Sequence, residues 1–291
     1  MKKNQKWTKI ILSVLTVICL SACGSGEKEV EPATAQQGVT LETTQKVLQE
    51  TQNYTGHLQV VSNLENDNTN IEANMEMNKD PLCMKIEETM TYGEQTTKNV
   101  TYLKGTESGA DIYRNYGDQW TEMSFGQDAA MASVKIYNIQ ENMQLVLEYG
   151  TEWTEDEKSD KEEIVFHGKL PAKDAFAVVE GGRLLQLAGM SGMAEKYYAN
   201  VKDIPVTFTI DSQTGKPIAC TMDLANTLQV VTNNVLQELN NEGAKITVEK
   251  YDVIMELSKW NETPTIEIPK EAQTAINYEQ EITDMQKDAA V

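Results

Sequence analysis

Histidine occurs only twice in 291 residues, phenylalanine and cysteine four times each, and positive charge is scarce, with 25 Lys plus Arg against 45 Asp plus Glu and a formal net charge of -20. Each shortage excludes something. A body this acidic is repelled by phosphate backbones, which rules out nucleic acid as a partner. The two histidines, His57 and His167, are isolated within alternating stretches, so they offer no zinc-ligand spacing and read as exposed strand residues. Long apolar runs are missing too. The one candidate, residues 10–20, falls short of the roughly twenty residues that a bilayer span needs. An apolar fraction of 40% still suffices to build a core, and the length allows one large domain or two small ones.

The N-terminus is the most informative segment. Lys2, Lys3, Lys6 and Lys9 precede the apolar run. A basic start, a short apolar stretch and small residues before a cut are the marks of a secretory signal. Leu20-Ser21-Ala22-Cys23 follows, and this four-residue box resembles the bacterial lipobox. The resemblance implies that residues 1–22 are removed and that Cys23 receives a diacylglyceryl thioether, becoming the palmitate-bearing first residue of the mature chain. Loss of the four lysines leaves about -24 on that chain. Two acyl chains anchor firmly where one binds only marginally. The expectation is a lipoprotein on the extracytoplasmic face of the cell membrane, without a transmembrane helix.

Residues 23–38 are small, polar and charged, a composition that reads as a flexible tether. Residues 39–278 are expected to form one domain, and residues 279–291 a polar tail. With Cys19 lost and Cys23 acylated, only Cys83 and Cys220 remain. A disulfide between them suits an oxidising compartment, but no supporting cysteine pattern requires it.

Hydropathy patterning divides the domain between strands and helices. Residues 40–52 place Leu41, Thr44, Val47 and Leu48 on one helical face. The period then drops to two. Leu58 and Val60 lead into Ile71, Ala73, Met75 and Met77, and then into Leu82, Met84, Ile86 and Met90. Further strands are expected at residues 96–104, 111–116 and 119–125. Helical spacing returns between residues 127 and 147, two strands flank a charged turn at residues 152–167, and residues 204–210 and 218–224 flank the turn Asp211-Ser212-Gln213-Thr214-Gly215-Lys216-Pro217. Residues 224–239 read as a helix and residues 245–260 as a last strand. One apolar and one polar face per strand is what a half-solvated antiparallel sheet requires.

This order of elements carries a family resemblance. The lipobox, residues 41–52, then Asn53-Tyr54-Thr55-Gly56-His57-Leu58-Gln59-Val60, and later Ile210-Asp211-Ser212-Gln213-Thr214-Gly215-Lys216-Pro217-Ile218 resemble lipoproteins of Gram-positive bacteria related to the LolA and LppX/LprG group. The resemblance implies an α+β fold: a single curved antiparallel β-sheet, a half-barrel, with helices covering the concave face. It also implies that the gap between sheet and helices accepts acyl chains. No catalytic residues carry over.

The remaining motifs point away from enzymology. Gly189-Met190-Ser191-Gly192 lacks a residue of the serine-hydrolase elbow and reads as a loop. The acidic residues from 152 to 163 and the Asn-rich residues 66–70 lack the glycine and distal glutamate of a calcium loop. No cofactor and no metal site is expected, and the chain reads as non-enzymatic. Residues 171–198 are apolar yet broken by Gly181, Gly182, Gly189 and Gly192. Each glycine costs a helix about 1 kcal/mol relative to alanine, so this stretch is expected to be a loose cover. Its Phe176, Leu184, Leu185, Leu187, Met190 and Met193 are the candidate contacts for a hydrophobic, lipid-like ligand. The alternative is a protein of the cell envelope whose surface engages another protein and whose concave space is filled by its own side chains.

Overall fold

Period-two alternation builds a sheet of twelve strands. The computed structural model describes residues 39–277 apart from 65–66, 118, 158 and 241–243. The signal segment, Cys23, the expected tether and the expected tail lie outside the described residues. The strands are β1 (Asn53–Leu64), β2 (Asp67–Lys79), β3 (Leu82–Tyr92), β4 (Gln95–Gly105), β5 (Ala110–Tyr116), β6 (Gln119–Phe125), β7 (Thr151–Glu155), β8 (Glu163–Leu170), β9 (Ile204–Asp211), β10 (Pro217–Asp223), β11 (Val248–Ser258) and β12 (Ile276–Asn277). Their spatial order is β12-β6-β5-β4-β3-β2-β1-β11-β10-β9-β8-β7. Neighbours run antiparallel except β12, which pairs parallel to β6. The first and last strands of that order do not pair, so the sheet is an open, curved half-barrel, as expected.

Among the described residues, five α-helices supply the cover: α1 (Leu41–Glu50), α2 (Gln127–Ser133), α3 (Ile139–Tyr149), α4 (Ala175–Gly181) and α5 (Ala225–Glu238). Thr40 caps α1, its hydroxyl accepting from the Thr43 backbone N–H while Thr43 reciprocates. Among the described residues, no helix is long and apolar enough to cross a membrane.

The core sits between the concave face and the helices. In β1 the burial alternates strictly, with Tyr54, Leu58 and Val60 at most 1% exposed. Opposite them stand Met77, Ala73 and Ile71 of β2, all buried. Leu48, Ile139, Met143, Val146, Val178 and Val179 cover this surface from the helix side. A polar contact is embedded in the packing: the Tyr54 hydroxyl donates to Asn138 Oδ1 at 3.2 Å. Burial raises the Tyr54 pKa above its ordinary value, so the phenol stays a donor. Tyr54→Phe is expected to cost about 1 kcal/mol in urea unfolding, leaving the Asn138 cap on the Glu141 N–H in place.

The Asp211 turn holds itself. Its Oδ1 accepts from the Gln213 N–H at 3.0 Å, the Thr214 N–H at 2.6 Å and the Thr214 hydroxyl at 2.7 Å. These bonds hold the carboxyl below its usual pKa, the Thr214 hydroxyl contributing most. A depressed carboxylate stabilises the fold above its unfolded pKa, about 3.9, and that contribution is lost as pH falls through the folded value. Asp211→Asn should therefore melt lower than the parent at pH 6, with the difference beginning to shrink as pH falls below about 3.9 and closing once it has passed the folded value.

Beyond β11 the chain does something the alternation did not announce. Residues 259–275 strap across the convex face. Asn261 Oδ1 accepts from the Gln52 and Asn53 N–H groups, and Ile266 packs with Cys83 and Tyr102 in a small second cluster. This placement decides the cysteine question. Cys83 belongs to the convex cluster, whereas Cys220 is fully buried in the main core between Met255 and Phe208. Both are free thiols, and the sheet itself lies between them.

Candidate functional site: a polar cleft under a glycine-broken cover

The concave face changes character along β3, β4 and β5. Met84, Leu103 and Ile112 lie side by side and are at most 1% exposed. Two residues further along the same rows come Ile86, Thr101 and Arg114, and then Glu88 opposite Asn99. Alternate strand residues share a face, so polar groups here point where apolar ones point elsewhere. They line a cleft of about 200 Å³ whose other wall is Ser133, Tyr137, Gln186 and Leu187.

The cleft is internally wired. The Tyr137 hydroxyl donates to Glu88 Oε2, and Asn99 Nδ2 donates to Glu88 Oε1 at 3.4 Å. Arg114 Nε donates to Thr101 Oγ1 at 3.2 Å. Burial, and then the adjacent Glu88 carboxylate, push the Tyr137 hydroxyl well above its ordinary pKa, while the Arg114 charge pulls weakly the other way. Gln186 Nε2 donates to the Ser133 carbonyl at 2.9 Å. Its Oε1 is enclosed and has no partner within the described structure.

Above the cleft runs the cover. After α4 the chain makes short 3-10 turns at Gln186–Ala188 and Glu195–Tyr198. Arg183, Gly189 and Gly192 take left-handed φ values of 54°, 73° and 71°, which is why the stretch cannot continue as helix. One carboxylate ties it together. Glu180 Oε2 accepts from the Gly192 N–H at 2.8 Å, and Oε1 accepts from the Met193 N–H at 3.1 Å and the Tyr198 hydroxyl at 2.8 Å. A second tie runs to the sheet, where the Tyr251 hydroxyl donates to the Leu184 carbonyl at 3.2 Å.

The six apolar candidates are dispersed. Leu184 and Leu185 are 1% exposed and packed in the core. Leu187 borders the polar cleft. Phe176 meets Tyr198 edge-on, ring centres 5.4 Å apart, at a more open cleft of about 400 Å³ that also includes Lys173, Glu195 and Lys196. Met190 and Met193 are half-buried against the core. Sequence reasoning missed Glu88, Arg114, Tyr137 and Gln186. A signal existed: Glu88 interrupts the inward series Met84, Ile86 and Met90.

His167 bridges Asp156 and Thr207. Its Nε2 is 2.6 Å from Asp156 Oδ2, and its Nδ1 is 3.1 Å from the Thr207 hydroxyl. The imidazole is half exposed on the convex side of β8, opposite in parity to the inward Phe166, and neither cleft includes any of the three residues. Among the described residues, no cluster of three His, Cys, Asp or Glu is placed to hold a metal ion.

No protein-family model matches the sequence, and no curated protein matches it. Among solved structures, the chain is similar to the lipoprotein LppX of Mycobacterium tuberculosis, with 12% identity, 78% of this chain and 96% of that one covered, and a TM-score of 0.43. It is similar also to LprF of Mycobacterium bovis, with 13% identity, 80% and 99% covered, and a TM-score of 0.41.

Proposed function

We propose that this chain is a non-enzymatic lipoprotein, held by acylated Cys23 on the extracytoplasmic face of a membrane, that carries a hydrophobic, lipid-like ligand between its sheet and the cover of residues 171–198. The observation that carries the reading is the construction of the cover. It lays Leu184, Leu185 and Leu187 on the sheet, yet beyond the short helix α4 it consists of 3-10 turns with left-handed joints rather than a continuous helix. Few main-chain hydrogen bonds must break for such a segment to lift. An acyl chain of about fourteen methylenes gains roughly 0.8 kcal/mol per methylene on burial, whereas displacing two leucines costs about 2 kcal/mol each.

A second reading has its own support. Leu184 and Leu185 already fill the space beneath the cover, as they would in an envelope protein with a permanently packed core and a protein partner. Native mass spectrometry of the full chain, released from the membrane by Cys23→Ala, separates the two. The carrier reading expects a co-purified lipid mass and, after delipidation, uptake of one fluorescent fatty acid at micromolar concentration. Because Leu185 is core, the blocking substitutions belong at Leu187 and Met190: tryptophan at both should abolish uptake while circular dichroism stays unchanged. Neither co-purified lipid nor uptake would leave the packed core. The anchor is tested alongside, since a Cys23→Ala chain that stayed membrane-bound at mature mass would contradict acylation there.

A further inference from the structure

We propose that the cleft formed by Glu88, Asn99, Arg114, Tyr137 and Gln186 is a head-group site that selects a neutral, hydroxyl-bearing group no larger than a single sugar ring. The inference rests on the carrier reading, since the group it holds is the polar end of the carried molecule.

Three observations define the class. The cleft contains one carboxylate, Glu88, and one guanidinium, Arg114, so its lining carries no net charge. The attraction of a phosphate to the guanidinium is opposed by the carboxylate beside it, and that of an ammonium to the carboxylate by the guanidinium, so neither ion gains the net attraction that would offset losing its hydration. The second observation is the Gln186 amide. Its nitrogen is committed to the Ser133 carbonyl, which fixes the orientation and leaves Oε1 enclosed without a donor. An unpaired buried acceptor costs about 1–3 kcal/mol, and a ligand hydroxyl recovers that cost. Glu88 also retains acceptor capacity after accepting from Tyr137 and Asn99, because an ionised carboxylate offers about four lone-pair sites. The third observation is size. About 200 Å³ is below the roughly 300–1,000 Å³ of sites for drug-sized molecules. Ile86 and Leu187 add apolar walls suited to the C–H face of a polyol ring. Leu187 also lies on the cover, so a chain leaving the head group continues beneath it.

The test uses the full acylated chain in nanodiscs and three monomeric probes of equal chain length: hexyl glucoside, hexyl phosphate and hexyltrimethylammonium. Saturation-transfer NMR, with empty nanodiscs subtracted, gives each affinity. The glucoside should bind about ten-fold more tightly than either charged probe. Gln186→Leu and Glu88→Gln should each compress that preference to about three-fold or less. Glu88→Gln keeps the shape of the side chain, so it serves if Gln186→Leu disturbs the cover. Equal binding of the three probes, or preference for a charged one, overturns the head-group inference and leaves the carrier reading standing. The same holds if a fluorescent fatty acid binds and none of the three does. Absence of all binding, fatty acid included, removes the carrier reading and this inference with it.

Discussion

Replacing Gly168 with alanine is expected to lower the unfolding free energy by about 3 kcal/mol and the melting temperature by roughly 6–12 °C. A Cβ at Gly168 would stand 2.4 Å from Trp153 Cε3 and 2.7 Å from its Cδ2. The indole also lies over Gly150, where a built Cβ would be 2.4 Å from Cζ2, and Phe208 meets it edge-on at 6.3 Å, so the ring is packed against two glycines and a core aromatic. A register shift between Thr151 and Thr154, with Glu152 at a φ of 56°, turns this ring into the sheet's end. The ring thereby packs across the last three strands of the sheet, on Gly168 of β8 and Phe208 of β9. Alanine at position 168 must push the ring toward solvent or splay β7 from β8. The explanation is specific to the indole, so it predicts coupling. In a Trp153→Leu background, Gly168→Ala should cost about 1 kcal/mol or less. Equal cost in both backgrounds would show that the glycine matters for another reason, such as backbone conformation.

Much of the sheet was legible because its physics is local. Ile71, Ala73, Met75 and Met77 alternate with polar residues, and a strand half-buried on one face has little choice but to turn them inward. Thr40 before Leu41, and the Asp211 turn, are likewise read from neighbours in sequence. What escaped notice depends on pairings distant in the chain. Glu88 breaks the inward apolar series of β3, but what it does there shows only when Asn99 and Tyr137 are brought to its carboxylate. Trp153 looks like a strand aromatic until Gly168, fifteen positions later, is seen to make space for it. The glycines of residues 181–192 were correctly a warning against a continuous helix. They carried no information on how deeply Leu184 and Leu185 would pack, because burial is decided by the surface beneath, here Tyr251 and its neighbours on the concave face. The convex strap was invisible for a similar reason: the alternation Ile266-Glu267-Ile268 is short and flanked by Pro264 and Pro269, and only the patch around Cys83, Tyr102 and Trp120 explains the packing of its isoleucines.

Glu180→Ala should free the cover. The side chain sits at the end of α4 and accepts from two amides and a phenol across residues 192–198. Hydrogen bonds to an ionised group contribute about 1.5–3 kcal/mol each when well enclosed. Glu180 is only half-buried, so the three together are expected to hold the segment by about 2–3 kcal/mol. Alanine leaves the Gly192 and Met193 amides to water and strands the Tyr198 hydroxyl, whose pKa burial, and then the Glu180 carboxylate, now raise. The loss is local, because Leu184 and Leu185 stay anchored by packing and by Tyr251. Hydrogen exchange at Gly192 and Met193 should therefore accelerate by about 30-fold or more, while amides of β1 and β11 slow or speed by far less. Glu180→Gln, with one acceptor oxygen instead of two, should fall between. If lifting this segment admits the ligand, release of a bound fatty acid should quicken by a similar factor at nearly unchanged global stability. Faster exchange without faster release would place the entrance elsewhere, at the 400 Å³ cleft beside Phe176 or at the open edges of the sheet. Unchanged exchange would mean that the cover is held by its apolar contacts alone and that Glu180 ties a loop already fixed.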